Sequence, residues 1–226
     1  MQMHMDVLRI YEDRYSEVSD YLQLLHYIDN LSTRSPWNGV KYDNTTEISY
    51  QPHRDMQKVM RADTYLLLYN LVEATFVMMI NFVQTAINDE KKPLLNFIPK
   101  IRVICAESCY KDANEAILCI ANGKPVYIEN LKISFSGNVT MQIIKSFLGS
   151  IDCAPKTSLA EQKVEATLEK IKTTRNRLGH GEVSFAQEGA HISYDEVYQD
   201  FEIATTYLRE MLNNLDDYVK NKRYLV

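Results

Sequence analysis

Arg175, Asn176 and His180 are the residues of this chain whose types and spacing could do chemistry together. They lie in Thr174-Arg175-Asn176-Arg177-Leu178-Gly179-His180-Gly181, where a helical pattern gives way to glycine. An arginine carries a permanent charge on a planar fork that suits phosphate oxygens. A histidine can exchange a proton near neutral pH. Set across one helix terminus, the two can converge on a phosphodiester. In RNA the nucleophile is already part of the substrate, as the 2′-hydroxyl. Cleavage then needs a base for its proton, an acid or a cation for the leaving oxygen, and positive charge for the transition state. Such chemistry calls for no metal and no cofactor, and the sequence shows no His/Cys or carboxylate cluster at metal-ligand spacing. By itself an Arg-x4-His spacing is a weak signal. His180 can also be read as a helix-terminal histidine that caps carbonyls and complements the dipole.

The helix that must position these residues runs over about 159–178. Val164, Leu168, Ile171 and Leu178 form its apolar seam, and position 175 is the midpoint of the last step. The register therefore predicts Arg175 on the core-facing side, where a leucine is expected. A second helix, about 54–88, is apolar over much of its circumference and should be central. Its polar exceptions Asn70, Glu73, Asn81 and Gln84 follow helical spacing, with Val77 among them, and so share one stripe. The stripe faces solvent or meets polar partners. Glu73, supported by Asn70, is the candidate to orient Arg175 or His180. Tyr65 and Tyr69, four apart on this helix, are expected to pack with their hydroxyls at the rim.

Around these two, periodicity predicts helices over 5–31, 100–108, 111–121, 139–149 and 194–220. Residues 34–52 read as a loop pinned by the only tryptophan, Trp37. Residues 126–135 read as a short strand pair or an extended arm, Ser136-Gly137-Asn138 as the cap of the next helix, and 182–193 as a loop or hairpin. The expected fold is all-α, an up-and-down helical bundle with a short extended or β insertion around 126–135. It forms one domain over 1–226, with the first helix packed on a core of about 55–222.

Only 7 Gly and 6 Pro in 226 residues agree with long uninterrupted helices. The net charge of −5 offers no global attraction to nucleic acid or anionic membrane. Contact with RNA would need a local basic surface, for which Lys170, Lys172 and Arg177 are the candidates. Tyr65 to Val83 is long and apolar enough to suggest a membrane span, but it contains Asn70, Glu73, Thr75 and Asn81. A charge near mid-span costs about 3 kcal/mol, so a buried core helix is expected instead. The first twenty residues carry Asp6, Arg9, Glu12, Asp13 and Arg14 and no apolar run, unlike a signal peptide. Cys105, Cys109, Cys119 and Cys153 are therefore expected to be reduced thiols of a cytoplasmic protein.

Arg175-Asn176-Arg177-Leu178-Gly179-His180-Gly181 resembles the Arg-Asn-x-Leu-Ala-His-Gly signature of HEPN domains (higher eukaryotes and prokaryotes nucleotide-binding), with Gly179 where alanine is usual. Leu66-Leu67-Leu68-Tyr69-Asn70-Leu71-Val72-Glu73-Ala74 resembles the long core helix of the MAE-type HEPN-like nucleases. Phe135-Ser136-Gly137-Asn138 before a short helix, and the late tyrosine-rich helix, are similar to the same group. The resemblance covers about 55–222. It implies a helical bundle that dimerises, with the motifs of two subunits meeting in a cleft. Many such proteins are metal-independent endoribonucleases of toxin–antitoxin or phage-defence systems. On that footing His180 is general base or acid, Arg175 binds the scissile phosphate, and Asn176 positions the phosphate or the motif. The expected partners are RNA, a second copy of the chain and an antitoxin or defence-system protein, with no membrane. A non-catalytic module that binds a nucleotide or a partner is the alternative. A helical scaffold without a site is the third reading, and it requires Arg175 to make only intramolecular hydrogen bonds and His180 to be covered by its own chain.

Overall fold

The computed structural model describes residues 2–34, 54–133 and 137–226. The helices are α1 (Gln2–Arg34), α2 (Arg54–Glu90), α3 (Pro99–Cys109), α4 (Ala113–Ala121), α5 (Met141–Ser150), α6 (Glu161–Gly179), α7 (Phe185–Gly189) and α8 (Tyr194–Lys220), with a 3-10 turn at Leu94–Asn96. The described residues contain no named strand, only isolated bridges joining Pro93 to Pro125 and Phe97 to Leu225. The fold is all-α. The loop assigned to Trp37 and the Phe135-Ser136 pair lie outside the described residues.

Apolar side chains around most of α2 make it the axis of the bundle. Leu68, Leu71, Val72, Phe76, Met79 and Val83 are buried, and α1, α6, α7 and α8 all pack on this helix. By length and composition α2 could also cross a membrane; it is the one described helix of which that is true. Here its apolar surface is taken up by neighbouring helices. α8 contributes the opposing wall through Val197, Phe201, Ala204, Leu208, Met211, Leu215 and Tyr218, all buried. Its start is fixed by a capping box between Ser193 and Glu196.

The polar stripe on α2 divides in two. Asn70, Val77 and Asn81 are exposed, and Glu73 is half-buried. At its near end Asn70 meets only Arg14 of α1, at the surface, whereas its far end holds another segment of the chain. Gln84 Nε2 donates to Glu129 O and Gln84 Oε1 accepts from Leu131 N–H, both at 2.9 Å. One turn on, Asn88 Nδ2 donates to Ile128 O at 2.9 Å and its Oδ1 accepts from Ile128 N–H at 2.8 Å. Two amide side chains thus do for this segment what a neighbouring strand would do. Over its described residues the insertion is an extended arm, not a strand pair.

Residues 182–193, expected as a loop or hairpin, contain α7. A capping box between Ser184 and Gln187 starts it, a signal present in the sequence as Ser-x-x-Gln. It lies hard against the first turn of α2: a Cβ on Gly189 would stand 1.8 Å from the Lys58 carbonyl oxygen. The seam of α6 also differs from its reading. Thr174 takes the buried position between Ile171 and Leu178, and Arg175 flanks it, half-buried. Both 174 and 175 satisfy a spacing of three or four. The smaller, neutral side chain fits the interior without placing a charge there.

Candidate active site

The C-terminus of α6 is finished by backbone alone. Gly181 is in the left-handed region, at φ 69°. Its N–H donates to Leu178 O at 3.1 Å, and Glu182 N–H donates to Arg177 O at 3.0 Å, the crossed pair of a Schellman turn. His180 N–H donates to Asn176 O at 2.9 Å. Gly179, read with Gly181 as ending the helix, is still helical, and Gly181 makes the turn. These bonds answer the carbonyls of Asn176, Arg177 and Leu178, so the His180 imidazole is not needed as their cap. The residue is exposed, and no hydrogen bond, ion pair or ring contact holds its side chain among the described residues. This conflicts with both the capping reading and the scaffold reading, which required His180 to be covered.

Arg175 is held on neutral groups. Its guanidinium carbon is 4.5 Å from the centroid of the Tyr69 ring, and Nη1 donates to Asn176 Oδ1 at 2.9 Å. Asn176 Nδ2 in turn donates to Asn138 Oδ1 at 3.3 Å. Tyr69 closes the circle: its hydroxyl donates to Gly137 O at 2.6 Å and accepts from Val139 N–H at 3.3 Å. Burial raises the Tyr69 pKa, against the lowering effects of the Val139 N–H and Arg175, so the hydroxyl keeps its proton at neutral pH. α2, α6 and residues 137–139 are therefore tied together around one arginine. No carboxylate pairs with it among the described residues.

Tyr69 and Asn138 were not read as site residues. The sequence pattern assigns Tyr69 to packing and Asn138 to a helix cap. The cap of α5 is Thr140, whose side chain accepts from Ile143 N–H. No pattern along the chain could have paired Asn138 with Asn176 across 38 residues.

The other sequence candidates are placed as follows. Asn70 accepts from Arg14 Nη1 at 3.3 Å, joining α1 to α2 at the surface. Glu73, one turn beyond Tyr69, makes no ion pair with Arg175; its charge acts on the Tyr69 hydroxyl, raising its pKa. Lys170 Nζ lies 2.9 Å from Asp200 Oδ2 and 5.5 Å from the Tyr65 ring centroid. Lys172 pairs with Glu169 at 2.6 Å, and Arg177 with Glu188 at 2.9 Å. Each of these three cations meets a carboxylate. The site brings together Arg175, Asn176, Tyr69 and Asn138 beside an unengaged His180, and it leaves Lys170, Lys172 and Arg177 in ion pairs. Among the described residues no three His, Cys, Asp or Glu side chains gather as a metal-ligand set. The four cysteines are unpaired, and burial pushes the Cys105 thiol up to about 12.

The family model described as HEPN_MAE_28990-like HEPN matches residues 8–224. The match takes in α1, which the sequence resemblance had left aside. Comparison with curated proteins and with solved structures found no match.

Proposed function

The chain belongs to this HEPN family, whose domains are generally ribonucleases or nucleotide-binding modules, and on that premise we propose that it is a metal-independent endoribonuclease. The observation that carries the reading is the state of the motif. Arg175 is oriented on neutral partners and, among the described residues, is matched by no carboxylate and followed by a histidine that nothing engages. An arginine fixed in this way is prepared for an anion, and a phosphodiester supplies one. His180 takes the proton of the 2′-hydroxyl. The 2′-oxygen bonds to phosphorus as the bond to the 5′-oxygen breaks. A protonated histidine returns a proton to that oxygen, and a 2′,3′-cyclic phosphate remains. Arg175 offsets the charge that builds on the phosphoryl oxygens. Asn176, tied to Asn138, fixes the direction of Arg175. In a homodimer with the two motifs facing one cleft, one His180 serves as base and the other as acid. We place this activity in the cytoplasm, where four free thiols persist, in a toxin or phage-defence effector restrained by an antitoxin or a defence-system partner.

The experiment is incubation of purified protein with RNA in excess EDTA, with the product ends identified. Cleavage that leaves 2′,3′-cyclic phosphate supports the proposal. Cutting that appears only on addition of a divalent metal shows the mechanism to be wrong. Binding of nucleotide that Arg175→Ala abolishes, without any cleavage, would favour the non-catalytic module.

A further inference from the structure

α6 has a second terminus, which the motif does not use. α4, α5, α7 and α8 each begin on a side chain that accepts a first-turn amide: Asp112, Thr140, Ser184 and Ser193. α6 begins on Ala160, which has no such acceptor. The amides of Lys163 and Val164 reach Ala160 O. Those of Glu161 and Gln162 have no acceptor among the described residues.

This terminus borders a cleft of about 490 Å³ lined by Lys145, Lys156, Thr157, Glu161 and Tyr207, among others. Tyr207, on α8, is only 1% exposed, and its hydroxyl has no hydrogen-bond partner among the described residues. A buried hydroxyl left unpaired has lost its water and gained nothing in return. Burial pushes its pKa up to about 12, so it remains a donor at neutral pH. Lys156 is exposed and meets no carboxylate among the described residues. Lys145 pairs with Glu161, the acid in the cleft wall. Glu210 behind the wall is occupied by the hydroxyls of Thr157 and Ser158. Lys145 and Lys156 are balanced in charge by Glu161 and Glu210; what favours an oxyanion is the set of unused donors, namely Lys156, the Tyr207 hydroxyl and the first amides of a long helix.

We propose that this cleft binds phosphate, as the free ion or as the phosphomonoester of a nucleotide, through Lys156, the Tyr207 hydroxyl and the first amides of α6. It lies at the opposite end of α6 from His180, roughly 28 Å away at 1.5 Å per residue, and does not depend on RNA cleavage.

The test is calorimetric titration of the full chain with inorganic phosphate and, separately, adenosine monophosphate, at constant ionic strength. Saturable binding to wild type is expected, weakened at least about tenfold by Lys156→Gln and by Tyr207→Phe, and unchanged by Lys124→Gln at a distant exposed turn. Without ligand, Tyr207→Phe should melt no lower than wild type, because the hydroxyl it removes has no partner. Tighter binding of the nucleotide assigns the phosphomonoester; equal binding assigns the ion. The proposal is overturned if neither ligand saturates by about 10 mM, or if both variants bind as wild type does. Should Tyr207→Phe fail to fold, Lys156→Gln decides the matter alone.

Discussion

Tyr65 and Tyr69 stand one turn apart on α2, and each carries a cation from α6 over its ring. The two pairs differ in what completes them. Around Tyr65, the buried Asp200 accepts from the Tyr65 hydroxyl at 2.7 Å and the Thr167 hydroxyl at 3.4 Å, and pairs with Lys170 at 2.9 Å. Every charge there has an opposite. Around Tyr69, Arg175 has a ring and an amide oxygen, and the Tyr69 hydroxyl is used on backbone. The first cluster is closed and holds α2, α6 and α8 together. The second is held by a ring and an amide, and among the described residues no carboxylate pairs with its arginine. A phosphate oxygen would complete it.

The comparison breaks most visibly under truncation. Arg175→Ala and His180→Ala should each lower RNA cleavage by about 10²–10⁴-fold. Both should melt close to wild type. Asp200→Ala should do the reverse. It strands two hydroxyls and an ammonium group, and should destabilise the fold by roughly 2–4 kcal/mol, somewhat less than a fully buried pair because Lys170 is partly exposed. Cleavage per folded molecule should be kept. Initial rates on a labelled RNA and thermal melts of the three variants test both halves at once. If Asp200→Ala melts normally and is inactive, the roles of the two clusters have been assigned the wrong way round.

A subtler change converts the open cluster into a closed one. Asn176→Asp supplies the carboxylate that Arg175 lacks. RNA affinity, measured by anisotropy in a His180→Ala background to prevent cutting, should fall about tenfold, with the melting temperature near wild type once the Asn138 amide turns over to donate to the new carboxylate. Undiminished binding would mean that Arg175 is not the phosphate contact.

The closed cluster and the open one were not equally legible in the sequence. Helix positions were, because apolar period fixes which face is buried; α8 falls at the expected 194–220. The motif was legible because its residues are neighbours in the chain. What surrounds it was not. Spacing cannot choose between Thr174 and Arg175 for the seam, since both fit, and only packing shows the smaller one inside. Glu73 is an inference from its place on the polar stripe and from its charge. A carboxylate on the right stripe looked like the natural counterpart of a buried arginine, whereas the fold uses the face of Tyr69 and a neutral amide. Contacts such as Asn138 to Asn176 depend on where a loop lies in space, which residue type does not encode. The missed α7 is a different matter, because its Ser184–Gln187 box was there to be read.

The two glycines of the motif sharpen the picture of the open end. Gly181→Ala forces a left-handed conformation on a residue with a Cβ, and should cost about 1–2 kcal/mol. Cleavage should fall further than that loss of stability explains, because the turn sets where His180 points. Gly179→Ala has open space around the new methyl group and a helical backbone. It should stabilise by about 0.5–1 kcal/mol and leave activity intact. Denaturant melts of the two variants, run beside cleavage assays, separate the turn from the helix. Equal effects of the two substitutions would show that the Schellman turn does not hold the site.

The smallest expected effect is spectroscopic, and it reads the same difference in charge. Both phenols are raised above the ordinary 10.0. For each, the contribution to stability is whole below the unfolded pKa and is lost as pH rises through the folded one. The causes differ. Tyr65 is raised by burial, then by its hydrogen bond to Asp200 and by the charges of Asp200, Glu196 and Glu188, all acting in one direction. Tyr69 is raised by burial, but Val139 N–H, Arg175 and Lys172 pull it back while Glu73 adds to the rise. In an alkaline absorbance titration, Tyr69→Phe should therefore remove a phenolate that appears at lower pH than that of Tyr65. Tyr65→Phe should remove one that appears only with unfolding. Arg175→Ala should delay the Tyr69 signal, since it takes away a positive charge that favours the phenolate. If the Tyr65→Phe and Tyr69→Phe curves coincide, the two rings sit in equivalent fields, and the contrast between a closed and an open cluster fails at its electrostatic root.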